Sequence, residues 1–163
     1  MIILIMGTTG SGKTTIGTLL AQRTGWEFAD ADEFHPRANV EKMSRGLPLD
    51  DADRAPWLVI LHDKIAAWLA SHKNAILACS ALKRSYREQL LVTPEVKLVY
   101  LKGTYELFAE RIHARVGHFA KEGILVGQFR DLEEPENALT LGTQLAPEQL
   151  VAQICAQLAL PCS

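Results

Sequence analysis

Ile2-Ile3-Leu4-Ile5-Met6 runs directly into Gly7-Thr8-Thr9-Gly10-Ser11-Gly12-Lys13-Thr14, which satisfies G-x-x-x-x-G-K-[ST] at every fixed position. The apolar run has strand length and β-branched character, as expected of a strand buried on both faces. Beyond the loop, Ile16, Leu19 and Leu20 recur at the spacing of a helix packed on a sheet. Strand, glycine-rich turn and helix gather main-chain N–H groups and the positive end of a helix dipole around one point, a ready site for phosphate. A glycine-rich turn with an incidental lysine would explain one glycine, not every fixed position behind a strand. The stretch implies a nucleoside triphosphate ligand.

The rest of the chain extends the pattern. With 163 residues, one domain of residues 1–163 is the economical expectation, and it can bury a sizeable core. A net charge of −2 gives no broad electrostatic reason to bind nucleic acid or an acidic membrane, so local clusters of Arg and Lys matter more. The first apolar run is too short for a membrane span and lacks the basic flank of a signal peptide. Cys79, Cys155 and Cys162 are odd in number and lack metal-ligand spacing; Cys79 reads as a core residue and the chain as cytoplasmic.

Gly25 is placed to cap the first helix, and Trp26 to Ala29 reads as a second strand. Asp30 and Asp32 follow it and share a face if the backbone stays extended. Acids at this end of a strand lie where open α/β sheets bind ligands, although capping the next helix is their commoner fate. Arg37 to Arg45 predicts a short helix stopped at Gly46. Asp50, Asp51 and Asp53 supply the start signals of a long helix carrying Leu58, Leu61, Ile65, Trp68 and Leu69 inward. Pro56 stands close enough to its start to be tolerated.

Ala75 to Cys79 predicts a third strand, followed by a helix with Tyr86, Leu90 and Leu91. Lys83, Arg84 and Arg87 crowd the start of that helix, the less favoured end for cations, as for an anionic ligand or a solvated basic face. Val96 to Leu101 predicts a fourth strand and Thr104 to Val116 a helix. Gly117 to Gly123 breaks the pattern and reads equally as a mobile lid or an ordinary helix connection. Helix resumes over Gln128 to Leu132, Ala138 to Leu141 is a fifth strand, and Pro147 to Leu158 closes the chain. The alternation predicts an α/β fold: a mostly parallel five-stranded sheet with helices on both faces.

Four further blocks narrow the reading. They are Asp32-Glu33-Phe34-His35-Pro36 with Asn39-Val40-Glu41-Lys42-Met43; Gly46 to Leu58; Cys79 to Arg87; and Tyr100 to Gly103 with Arg115 to Phe119 and Gln128-Phe129. Together with the phosphate loop, and as far as about Pro135, the chain resembles the gluconate kinase (gluconokinase) family, related to shikimate and nucleoside monophosphate kinases. Ala31, Ala38 and Arg84 depart from that family's usual glycine, basic residue and lysine.

The resemblance implies a three-layer P-loop kinase with a short lid at about 111–127. It also implies ATP-dependent phosphorylation of D-gluconate at the 6-hydroxyl, Mg²⁺ as cofactor and a homodimer. Lys13, Asp32 and Arg115 would be catalytic. ATP would be held by Gly7 to Thr14, Thr15 and Arg111, and the metal by Thr14 and Asp30. The substrate would meet Asp32, His35, Arg54, Ser80, Lys83, Arg84, Arg87 and His118, with Arg54 or Lys83 on its carboxylate.

Overall fold

The computed structural model describes residues 1–114 and 119–162, and only the backbone over 119–122. Its centre is β1 (Ile2–Met6), whose five residues are wholly buried. Four further strands, β2 (Glu27–Asp30), β3 (Ala75–Ala78), β4 (Val96–Lys102) and β5 (Leu139–Gly142), complete one sheet in the order β2-β3-β1-β4-β5. Every pairing is parallel, with Ile3 opposite Ile76 on one side and Lys97 on the other.

Alternation along β1 sends its side chains to two different cores. Ile2, Leu4 and Met6 meet α3 (Asp51–Ala70) and α4 (Arg84–Leu90) through Leu58, Leu61, Ile65 and Leu90. Ile3 and Ile5 meet α1 (Lys13–Thr24) and α7 (Pro147–Gln157) through Ile16, Leu20, Val151 and Ile154. A third cluster joins α5 (Tyr105–His113) to α6 (Phe119–Asp131) through Phe108, Ile112 and Leu125. The short α2 (Arg37–Ser44) follows β2, separated from it by a 3-10 turn over Ala31–Phe34.

Local signals start and stop these elements where expected. Gly25 caps α1 at φ 72. Asp50 and Asp53 form a reciprocal capping box at the start of α3. Pro56 lies inside α3 rather than in its first turn, and the helix continues through it. Two expectations need correction, and one covalent bond was not anticipated. The chain does not stay extended past Asp30; the 3-10 turn begins at Ala31, and Asp30 caps it by accepting from the Asp32 N–H at 3.1 Å. The break expected over Gly117 to Gly123 is helical from Phe119, nine residues before the predicted restart; residues 115–118 lie outside the described residues. Cys155 and Cys162 form a disulfide that ties the chain after α7 back onto the helix, leaving Cys79 as the buried free thiol.

Candidate active site

Parallel strands place their carboxyl ends on one edge, and the β1 end stands between β3 and β4, where an open α/β sheet reverses its winding. The Gly7–Gly12 loop occupies that position. Gly7 and Gly10 are there for space as well as backbone freedom. A Cβ on Gly7 would stand 2.6 Å from Ser11 Oγ, and one on Gly10, at φ 80, would press on the Phe108 main chain at 3.1 Å. The α5 helix therefore backs the loop directly. Gly12, left-handed at φ 94, starts α1 with no side-chain cap and no acid in the first turn. The helix presents its N–H groups without an internal anion, which fits a phosphate.

Within the loop, Lys13 Nζ donates to the Thr8 carbonyl at 3.0 Å. Burial lowers the Lys13 pKa, opposed by the negative charge of Asp32 and then of Asp30, so both acids act on this lysine. Thr8 and Ser11 are buried with hydroxyls that have no partner among the described residues, further capacity for phosphate oxygens. Thr14 and Thr15 are exposed at the start of α1. Thr14 Oγ1 donates to Asp30 Oδ2 at 2.7 Å, so a hydroxyl and a carboxylate stand together beside the loop. Hard oxygen donors of this kind, few in number and next to a phosphate site, fit Mg²⁺.

Asp32 projects from the 3-10 turn with its side chain 85% exposed, the accessibility an acceptor-orienting acid requires. His35 closes the same turn, stacked on Trp57 at 4.5 Å and 12°. Trp57 Nε1 donates to the Ala31 carbonyl at 2.8 Å, so the indole pins the backbone immediately before Asp32. Trp57 is buried, with its polar edge on the Ala31 carbonyl and one face on His35.

The predicted cations separate into two groups. Lys83 Nζ binds Asp51 at 2.8 and 3.1 Å, Tyr86 Oη donates to the same carboxylate, and Arg54 Nη1 donates to Tyr86 Oη at 3.3 Å. Arg54 and Lys83 are thus drawn together around one phenol ring. The hydrogen bond from Lys83 holds the Asp51 pKa low, and that bond in turn raises the lysine's. Arg84 and Arg87 do not join them. They line a separate cavity of about 710 Å³ with Glu88 and the Glu133–Asn137 segment. Arg87 is buried and donates to the carbonyls of Ala81 and Leu82 at 3.0 and 2.8 Å. It braces a turn in which Ala81 adopts the left-handed φ of 44, a conformation costly for alanine. Ser80 lies half-buried in that turn.

At the other end of the loop, Arg111 reaches across to the Thr143 carbonyl in the β5–α7 connection and packs over the Phe108 ring. Arg115 and His118 fall outside the described residues. Gln128, quoted only as part of a motif, accepts from the Thr9 N–H at 2.6 Å and so ties α6 to the phosphate loop. Its sequence separation from the loop hides that contact. Asp51 and Tyr86 were equally invisible as site residues, one reading as a helix start and the other as core.

Comparison with known proteins agrees with this geometry. A family model described as Shikimate kinase matches residues 9–135. A gluconokinase of Gluconobacter oxydans is 47% identical over 82% of this chain and 75% of its own length. Among solved structures, a sugar kinase from Janibacter superposes with a TM-score of 0.89 at 40% identity, covering 98% of this chain and 95% of that one. A gluconokinase from Sinorhizobium meliloti gives 0.86 at 38% identity, covering 96% and 90%. Phosphate loop, acids, cations and relatives lead to one assignment: the chain belongs to the gluconokinase family, within the wider group of P-loop kinases matched by the shikimate kinase model.

Proposed function

We infer that this chain transfers the γ-phosphoryl group of ATP to the 6-hydroxyl of D-gluconate, giving 6-phospho-D-gluconate and ADP. One observation carries the reading: a phosphate loop, the acids after β2 and the Arg54–Lys83 pair all gather at the carboxyl edge of the sheet, in a chain of the gluconokinase family. Gluconate is a small anion covered in hydroxyls, and such a ligand needs cations and hydrogen-bonding groups rather than an apolar pocket.

Phosphoryl transfer asks mainly for positioning and charge neutralisation. Lys13 and the loop N–H groups hold the β- and γ-phosphates. Thr14 and Asp30 hold Mg²⁺, which neutralises phosphate charge when bound. Asp32 orients the 6-hydroxyl and takes its proton late in the transfer. Arg54 and Lys83 bind the substrate carboxylate, with His35 and Ser80 as hydroxyl partners. Arg111 contacts the nucleotide, while Arg115 and His118 close from the segment 111–127, which serves as the lid. Arg84, paired with Glu88, and Arg87, bound to the Ala81 and Leu82 carbonyls, are assigned no substrate contact in this reading.

The enzyme works in the cytoplasm, where ATP is available; by family likeness it is a homodimer. The deciding experiment is a coupled assay for ATP- and Mg²⁺-dependent 6-phosphogluconate formation, run beside shikimate and other sugar acids. Formation dependent on gluconate supports the reading; ATP turnover indifferent to gluconate refutes it.

A further inference from the structure

Asn39 is only 4% exposed, on the first turns of α2, and both of its outward contacts are made by the same atom. Nδ2 lies 2.9 Å from the Asp53 carbonyl oxygen and 3.3 Å from His35 Nδ1. A peptide oxygen only accepts, so the atom facing Asp53 must be the amide nitrogen, which fixes the flip of the carboxamide. An amide nitrogen only donates, so its second proton must go to His35, and Nδ1 must be the acceptor. A neutral imidazole with an accepting Nδ1 carries its proton on Nε2. That nitrogen stands 4.0 Å from Asp32 Oδ1, on a ring already held against Trp57.

We propose that Asn39 is a positioning residue: it locks His35 in the Nε2–H tautomer, so that a donor and never a lone pair faces Asp32. This rests on the reading of Asp32 as the acid that orients the acceptor hydroxyl. A donor there leaves Asp32 as the sole acceptor for the substrate proton. In the opposite tautomer, the Nε2 lone pair would repel the carboxylate and compete with it for the same hydroxyl. Asn39 also ties α2 to the main chain of α3, so the tautomer is set by the docking of two helices rather than by the turn carrying His35.

The test is long-range ¹⁵N–¹H NMR of the histidine rings in the whole protein at neutral pH, with the His35 signals assigned by their loss in His35→Gln. A protonated Nε2 and an unprotonated Nδ1 are expected; a protonated Nδ1 overturns the proposal, whether or not the protein phosphorylates gluconate. In Asn39→Asp the new carboxylate accepts from Nδ1–H, so the tautomer should reverse and kcat should fall about tenfold or more, less than the roughly 10²–10⁴ for losing an acid–base group outright because Asp32 itself remains, with the KM for ATP unchanged. Reversal with full kcat removes the positioning role. If Asn39→Asp does not fold, the spectrum of the unaltered protein still decides the tautomer. A locked Nε2–H in a protein with no gluconate-dependent turnover would sink the proposed function and leave the lock standing.

Discussion

Replacing Trp57 with Phe probes how the core supports the site. The indole is 3% exposed, and its Nε1–H donates at 2.8 Å to the carbonyl of Ala31, itself wholly buried. Phenylalanine keeps an aromatic ring but has no donor, so the Ala31 oxygen is left buried without that partner, at a cost of about 1–3 kcal/mol. The smaller ring adds about 1 kcal/mol for incompletely refilled volume. Together these predict a loss of about 2–4 kcal/mol, read as a fall in Tm of roughly 5–15 °C for a chain of this length. The same bond holds the backbone that presents Asp32, and the same ring stacks on His35. The surviving folded protein should therefore lose kcat as well, while its KM for ATP stays put. Urea titration and steady-state kinetics on one preparation measure both effects. Stability within about 0.5 kcal/mol of the parent, the ordinary scatter of surface changes, would refute the claim that this bond anchors the turn.

Other perturbations address separate parts of the site. Lys13→Ala should lower kcat at least about 100-fold, the scale for removing one preorganised charge stabiliser, and near-normal turnover in a folded variant would remove the phosphate loop from catalysis. Tyr86→Phe deletes the hydroxyl between Arg54 and Asp51 but keeps the ring; the KM for gluconate should rise about tenfold with kcat little changed, because the two cations lose their common anchor. An unchanged KM would place the carboxylate elsewhere. The buried His35 has its pKa lowered below 6.5, chiefly by desolvation. The unfolded chain therefore takes up the proton first, so stability should fall as pH drops below about 6.5 toward the lower folded value, and His35→Gln should flatten that slope in urea midpoints. Burial pushes the Cys79 thiol up to about 12, so in protein isolated without reductant a thiol reagent should find this cysteine only after unfolding.

Sequence and structure agree most closely where the signal is local. An unbroken apolar run, a fixed glycine spacing and an acid followed by helix-compatible residues each specify geometry within a few positions. That is why β1, the loop and the start of α3 were legible in advance. Asp30 was harder, because its two uses coincide: it caps the turn through one oxygen and meets Thr14 through the other. Capping the turn leaves its second oxygen beside the phosphate loop. The first nine residues of α6 were missed because Gly123 and Gly127 lower helix propensity, whereas what supports the helix there is tertiary. Leu125 is buried against α5, and Gln128 reaches a loop more than a hundred residues away. The disulfide was out of reach for a similar reason, since it depends on the chain turning back after α7, where Ala159 adopts φ 50.

The basic residues around α4 show why residue type alone could not divide binding from structure. Lys83, Arg84 and Arg87 lie within five positions and suggested one anionic site. A helix turns by about 100° per residue, so neighbours in sequence point to different surroundings. Lys83 precedes the helix and turns toward Asp51 and Tyr86; Arg87, one turn in, points back at the Ala81 and Leu82 carbonyls. Those carbonyls face inward because the turn after β3 is left-handed at Ala81, and a buried guanidinium is a side chain with enough donors to satisfy both. The strained turn and the buried arginine thus belong together. Between them they set the direction in which Lys83 leaves the sheet. Arg87 holds the backbone from which Lys83 departs, and a variant at this position should injure folding before it injures binding.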